Sequence, residues 1–358
     1  MNPTLVIDLD IFRYNAETMA KRLKDKGIAM AAVTKCFAAD PVIVDTLSGT
    51  GIAQLADSRL KNFAHYPSWE KPRLLLRAPA PDDAAATVAA CDISMNSERA
   101  TIEALGEAAG ANGKPHGILI MVDMGDLREG IYHTDRAALR QLAAFVAGHP
   151  HLTLEGLGVN LTCYGSIIPD VDILTRFAAV AEDLENTLGV KLPILSGGNS
   201  STVYLLEENQ PLPPRINHLR LGEAVIIGNE TAYSKPIAGL KRGAVTLKAS
   251  VIEVLTKPSY PEGKMGVNAF GEVGTYVDRG NRKKALLAVG RQDIDHEALT
   301  PFDAGVEILG ASSDHLILDI EDAENSYKPG DVMQFYTGYA AALRGFTSAY
   351  VEREYIGR

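Results

Sequence analysis

Between residues 5 and 230, short apolar runs rich in β-branched residues alternate with stretches whose apolar positions recur every three and four residues. The runs predict strands over 29–36, 53–57, 73–78, 92–96, 117–123, 155–161, 193–197 and 218–227. The amphipathic stretches predict helices over 10–26, 96–111, 134–147 and 173–188. Eight strands with helices between them predict a parallel sheet closed into a (β/α)8 TIM barrel, with a doubly wound open sheet as the alternative. After about residue 235 helical periodicity nearly disappears. Strand-like runs over 245–255, 284–289, 306–309, 315–320 and 332–336 are separated by turn signals at Pro258, Gly263, Gly280, Pro301, Gly305 and Pro329-Gly330. The expected organisation is an α/β barrel over 1–234 followed by a mostly antiparallel β domain over 235–358.

Composition narrows the function classes. The chain has 358 residues, 46% of them hydrophobic, enough for sizeable cores. Its formal net charge is −10, and no basic cluster is longer than Arg282-Lys283-Lys284, which argues against nucleic-acid partners. The N-terminal residues carry no basic region followed by a long apolar run, and no stretch approaches the ~18 apolar residues of a membrane span. A cytoplasmic protein without membrane partners is therefore expected. Cys36, Cys91 and Cys163 are scattered without CxxC spacing, so neither a disulfide framework nor a metal site is expected.

Candidate chemistry begins at Lys35. The run Ala29-Met30-Ala31-Ala32-Val33-Thr34 ends in this one ammonium, and Ala38-Ala39-Asp40-Pro41 then reads as a turn into a helix. In a barrel this is the catalytic end of a strand, where a partly desolvated lysine forms a Schiff base with an aldehyde. The alternative is a strand-end lysine pointing into water. GxxxxGK[ST], HExxH and GxSxG are all missing, and Gly156-Leu157-Gly158 lacks the third glycine of a dinucleotide loop. Ser196-Gly197-Gly198-Asn199-Ser200-Ser201-Thr202 stands where strand seven turns into a helix, and suits either a phosphate cradle or a plain helix cap.

Strand eight contains Arg220 within His218-Leu219-Arg220-Leu221-Gly222-Glu223. A guanidinium only donates hydrogen bonds, so facing a pyridine nitrogen it would keep that nitrogen an acceptor. An ion pair with Glu223 or another carboxylate is the competing reading. The loop Val122-Asp123-Met124-Gly125-Asp126-Leu127-Arg128-Glu129-Gly130 offers Arg128 as a carboxylate clamp or an electrostatic neighbour to a cofactor, or as one half of a surface pair with Asp126 or Glu129. Strand six ends in Asn160-Leu161-Thr162-Cys163-Tyr164-Gly165, where Cys163 is either an acid/base thiol or a space-filling residue.

Taken together, these residues resemble the fold-type III pyridoxal-phosphate (PLP) enzymes of the alanine racemase family, and more closely its ornithine-racemase-like branch. The resemblance spans nearly the whole chain. It implies that Lys35, in Ala32-Val33-Thr34-Lys35, holds PLP and serves as one of two acid/bases. The segment from Asp123 to Gly130 is similar to the family's Asp-Thr-Gly-Met-x-Arg-x-Gly loop and places its arginine at Arg128. Asn199-Ser200 matches the Asn-Ser phosphate pair. Arg220-Leu221-Gly222 resembles Arg-Pro-Gly, which implies a pyridine-nitrogen role for Arg220 and phosphate-binding amides at Gly222 and Glu223. Asn160 falls where alanine racemases place a histidine near the ring.

The chain also departs from the pattern. Ala39 replaces a tyrosine that reaches the phosphate, and Val289-Gly290-Arg291-Gln292-Asp293 replaces the Gly-Tyr-x-Asp-Gly motif that supplies the opposite base from a partner subunit. Arg291 is a poor proton acceptor, so Asp293, Asp314, His315 and Cys163 are the candidates for the second base. The resemblance implies an amino-acid racemase, with a small-molecule amino-acid substrate, in a head-to-tail homodimer. Asp40, Asp293 and Asp314 lean the expectation toward a basic substrate such as ornithine or lysine. A PLP decarboxylase and a non-catalytic PLP carrier are the alternatives.

Overall fold

The computed structural model describes residues 2–66 and 69–357. They divide into two compact units, one within Ile11–Arg242 and the other of residues 2–10 with 243–357. The first strand, β1 (Thr4–Asp8), belongs to the second unit. Its barrel partner unit contains β2 (Ala29–Val33), β3 (Gln54–Asp57), β4 (Arg73–Leu75), β5 (Ile93–Asn96), β6 (His116–Asp123), β7 (Ile131–Tyr132), β8 (Leu152–Gly158), β9 (Ile194–Ser196) and β10 (His218–Leu221).

Eight of these strands pair in parallel in the order β2-β3-β4-β5-β6-β8-β9-β10, and β10 pairs back to β2, closing a (β/α)8 barrel. The short β7 pairs beside the end of β6. Side-chain alternation explains how two cores arise from one ring of strands. On β6, Leu119 and Met121 pack inside the barrel with Ala31, Val33, Ala56 and Met95. Ile118, Ile120 and Val122 face the other way, onto Leu105, Leu139 and Phe177 of the helices. A strand covered on both faces reads as an unbroken apolar run, as Ile118 to Val122 does.

The second unit is an eight-stranded, mostly antiparallel sheet built from β1, β11 (Val245–Pro258), β12 (Asn281–Leu287), β13 (Leu299–Pro301), β14 (Glu307–Ala311), β15 (Leu316–Asp319), β16 (Val332–Thr337) and β17 (Glu352–Ile356). Here β1 runs antiparallel to β11 and parallel to β17, a pairing between the two ends of the chain that local alternation cannot reveal. Residues 235–242 fold back on the end of the barrel segment, with Ile237 N–H donating to the Gly228 carbonyl at 2.9 Å. The units thus differ from the expected 1–234 and 235–358 at both ends of the barrel. A helix over Tyr339–Thr347 also stands in the region where helical periodicity nearly disappears from the sequence. Among the described residues no helix is long and apolar enough to cross a membrane.

Candidate active site

Strand β2 stops at Val33, short of the expected end at residue 36, and Lys35 opens a 3-10 turn with Cys36 and Phe37. Cys36 and Phe37 are buried while Lys35 is exposed, so the turn anchors itself inward and presents the amine outward. Ala38 and Ala39 then take φ of 49° and 51°, left-handed values uncommon for residues with a Cβ. The ring nitrogen Nδ1 of His65 lies 3.2 Å and 3.3 Å from their carbonyl oxygens. Asp40 closes the turn by accepting the Val42 amide at 3.0 Å, as cap of the helix Pro41–Thr46 with proline at its start. At the strand end itself, the Thr34 hydroxyl donates to Asp57 Oδ2 at 2.6 Å.

Arg220, two strand positions beyond His218, is 3% exposed and makes no direct ion pair with Glu223. Its Nη1 donates to Ser196 Oγ at 2.5 Å, and its Nη2 to the Val159 carbonyl at 2.8 Å and Asn160 Oδ1 at 2.6 Å. The ion-pair reading fails because the strand aims the guanidinium along the barrel interior, toward neutral acceptors on β9 and the end of β8. Burial pulls Arg220 down to about 10, partly offset by Glu129 and Cys163 and reinforced by Arg128. Charge compensation comes one amide away: Asn160 Nδ2 donates to the Glu129 carboxylate, which also pairs with Arg128. Arg128 is exposed and held charged chiefly by this hydrogen bond. Asp126 instead accepts the backbone amides of Cys163 and Tyr164 at 3.1 and 3.0 Å, fixing the loop after Asn160.

The glycine-rich stretch adopts the shape of a cradle. Gly198 has φ +120°, Asn199 Oδ1 accepts the Ser201 amide at 2.8 Å, and Asn199 Nδ2 donates to the Leu161 carbonyl at 3.1 Å. Ser200 Oγ takes the Ala224 amide at 3.2 Å and so ties this loop to the turn after β10. The Ser201 hydroxyl is buried and has no partner among the described residues. The run expected as strand over 218–227 ends at Leu221, because the chain turns at Gly222 into the short helix Glu223–Ile226. A Cβ on Gly222 would stand 3.3 Å from that of Val33, so the turn passes close to the strand carrying Lys35. Burial pushes the half-buried Glu223 carboxyl up to about 7, helped by Glu230 and opposed by Lys35. Glu230 is itself buried and fixed by the amides of Ala232, Tyr233 and Lys235.

Lys35, Cys163, Arg128, Asn160, Asn199, Ser200, Arg220, Gly222 and Glu223 therefore all belong to the barrel unit, at or just beyond strand ends. Cys163 is exposed, 3.5 Å from Asn199 Nδ2, and desolvation of its sulfur raises the thiol against the pull of Arg128. Asp314 and His315 lie in the β unit before β15, with Nδ1 of His315 3.1 Å from Asp314 Oδ1. The hydrogen bond from His315 holds the exposed Asp314 carboxyl below its ordinary range. Asp293 is buried and accepts from Ser348 Oγ at 2.6 Å. Asp293 and Asp40 thus have structural bonds of their own, leaving Asp314 as the exposed carboxylate of the three that favoured a basic substrate. Arg291 donates to Glu272 at 2.8 Å and lies over the Phe270 ring at 4.4 Å. Gln54 and His218 carry no role in the sequence reading, Ser196 only opens the glycine-rich stretch, and Glu129 is there a surface partner of Arg128. His218 was within reach of sequence reasoning, since it shares the strand face of Arg220 at spacing two.

The cradle, the donor-only arginine and the strand-end lysine fit a phosphorylated pyridine aldehyde: backbone amides and hydroxyls for an anion, a guanidinium for a ring acceptor, an amine for a carbonyl. Fold and site define a two-unit barrel protein of the fold-type III class. An ornithine racemase of Acetoanaerobium sticklandii is 43% identical over 99% of this chain and 100% of its own length. A lysine racemase of Thermotoga maritima is 37% identical over 99% of this chain and 98% of its own. The chain belongs to the alanine racemase family, whose N-terminal domain matches residues 7–230. The solved alanine racemase of Bartonella henselae, which carries covalently bound pyridoxal phosphate, shares the fold with a TM-score of 0.74. That match covers 99% of this chain and 100% of that one, at 16% identity.

Proposed function

We propose that the protein is a PLP-dependent racemase interconverting the L- and D-isomers of a basic amino acid such as ornithine or lysine. The observation that carries this reading is that Lys35 and Arg220 stand at the ends of neighbouring strands, β2 and β10, of one closed barrel. The two full-length relatives, named for ornithine and lysine, support the substrate class. When bound, PLP supplies the electron sink that makes the substrate's Cα–H acidic.

The chain's own residues do the rest. The Lys35 amine would anchor the cofactor and would take or return the Cα proton on one face. Asn199, Ser200 and the amides of Gly222 and Glu223 hold the phosphate group. Arg220 donates to the ring nitrogen and keeps it from being protonated, while Asn160 and Arg128 set the charge around it. A second group handles the proton on the opposite face. Cys163 is the candidate in the barrel unit, its raised thiol keeping a proton to give; Asp314 and His315 are the candidates in the β unit. In a head-to-tail homodimer the β-unit pair would serve the partner subunit's barrel. A cytoplasmic setting, consistent with unpaired cysteines, belongs to the same reading.

Borohydride reduction with PLP, followed by peptide mapping, is expected to place a pyridoxyl label on Lys35. Incubation in D2O is then expected to exchange the α-hydrogen of ornithine or lysine as the D-isomer accumulates. Loss of the α-carboxylate without D-isomer would identify a decarboxylase. A labelled Lys35 without exchange on any amino acid would identify a carrier.

A further inference from the structure

The barrel interior carries a hydrogen-bonded chain whose direction is set by donor chemistry. Strand register puts Arg220 opposite Ala31, His218 opposite Ser196 and Gln54 opposite Ala31, so all four polar residues share the inner face. They are 3%, 2%, 0% and 7% exposed for Arg220, His218, Ser196 and Gln54, too dry for water to substitute for a missing partner. A guanidinium cannot accept, so Ser196 Oγ offers a lone pair to Arg220 Nη1 at 2.5 Å. The Ser196 proton then points at His218 Nδ1, 2.7 Å away. That nitrogen is thereby the acceptor of a neutral ring, whose proton sits on Nε2, 3.1 Å from Gln54 Oε1. Burial, with the charge of Arg220 beside it, pulls His218 down to about 3, so the ring stays neutral at physiological pH.

We propose that His218 is a positioning residue of the active site: by holding the Ser196 proton away from Arg220, it fixes the guanidinium plane that faces the cofactor ring. This rests on the cofactor reading given above. Without an acceptor at position 218, the Ser196 hydroxyl is free to turn its proton toward Arg220, setting donor against donor. The guanidinium would then keep only the contacts to Val159 and Asn160, both on the segment just beyond β8. With the acceptor present, Arg220 is held from two sides, by β9 and by the residues after β8. Its charge meets no carboxylate directly and is left available to a ring acceptor.

The test compares His218→Phe, which fills the space without an acceptor, with His218→Gln, whose amide oxygen accepts from Ser196. Nitrogen-15 spectra of histidine-labelled apoprotein should show wild-type His218 with a bare Nδ1 and a protonated Nε2; the opposite tautomer, or a charged ring at pH 7, overturns the inference. The Phe variant should bind PLP on the order of tenfold more weakly. Its PLP absorbance should also become pH-dependent as the ring nitrogen loses its fixed donor. Affinity for inorganic phosphate, which reads the cradle alone, should not change. His218→Gln should recover most of the PLP affinity. A Phe variant with unchanged PLP affinity and an unchanged spectrum across pH overturns the proposal. If that variant does not fold, Gln54→Leu removes only the far acceptor: a mixed His218 tautomer with weakened PLP binding supports the relay, and an unaltered tautomer with unaltered binding overturns it. Failure of the cofactor reading is distinct, since wild-type protein would then take up no PLP at all, and the positioning role would fall with it.

Discussion

Asn160 stands between the two charges of the barrel mouth: its Oδ1 accepts from Arg220 Nη2 at 2.6 Å, and its Nδ2 donates to the Glu129 carboxylate. An amide does both at once, through two separate atoms, without adding charge. Asn160→Leu removes both bonds and leaves Arg220 buried with less compensation. A lost hydrogen bond to a charged group is worth about 1.5–3 kcal/mol, so kcat should fall roughly 10- to 100-fold. Asn160→Asp places a carboxylate against Arg220 and next to Glu129, and should weaken the donor the ring nitrogen needs. Steady-state kinetics with circular dichroism checks both variants; an Asn160→Leu enzyme with wild-type kcat would sink the relay.

Glu223 gives a second prediction, through pH. Its folded-state carboxyl titrates at about 7 against an ordinary 4.5, raised by burial and by Glu230. A carboxyl raised on folding binds its proton more tightly in the native state. Its contribution is fully present below about 4.5 and is lost as pH rises through 7. Glu223→Gln removes the penalty of ionising it, so the variant should gain stability relative to wild type between pH 5 and pH 8, by no more than about 3 kcal/mol. Urea titrations at the two pH values read this directly, and equal differences at both would contradict it.

The legibility of these features in sequence follows from range. Runs such as Ile118 to Val122 announce a strand covered on both faces, and four ordered motifs bring Lys35, Arg128, Asn199 and Arg220 to one end of one barrel. What stayed hidden depends on contacts between distant residues. β1 joins the β unit because Val6 pairs with Thr246 and Glu354, residues far along the chain. Glu129 looked like the surface half of an Arg128 pair until Asn160 tied it to Arg220. Arg220 itself looked like the partner of a carboxylate three residues away, because local sequence shows neighbours along the strand and not the acceptors across it.

Asp303 in the β unit supplies an acid-stability prediction. Burial pushes its carboxyl up, but the amides of Glu324 and Asn325 and the Asn325 and Tyr327 side chains outweigh this and hold it at about 2. Tyr327 Oη donates at 2.9 Å and the Asn325 amide at 3.0 Å. A carboxyl lowered on folding contributes stability above the unfolded value of 3.8, and the contribution disappears as pH falls toward 2. Asp303→Asn turns one acceptor oxygen into a donor facing donors, so the fold should lose about 2–4 kcal/mol at pH 7. The variant's unfolding midpoint should also fall less steeply than wild type between pH 4 and pH 2. A wild-type slope in the variant would mean that other carboxyls dominate the acid transition.

Gly156 belongs to the Gly-Leu-Gly run that lacks the third glycine of a dinucleotide loop, and the barrel gives it a different purpose. It lies in β8 at φ +146°, and a Cβ built there would stand 1.8 Å from the Ile194 carbonyl oxygen of the neighbouring strand β9. Its register partner is Ile194 itself, next to the position where the β6–β8 register shifts. The glycine is required because two barrel backbones approach too closely for any side chain, at a backbone angle that L-residues rarely adopt. Gly156→Ala must therefore move β8 or β9, and should cost at least about 3 kcal/mol, with loss of barrel closure near Ser196 and Arg220. Gly148 makes a fair control, since it ends the helix Arg136–Gly148 and a Cβ there meets nothing within 4 Å. Gly148→Ala should be neutral or stabilising by up to about 1 kcal/mol. Denaturant unfolding of the two variants side by side decides the matter: if Gly156→Ala is as stable as Gly148→Ala, close approach of β8 and β9 is not what the glycine serves.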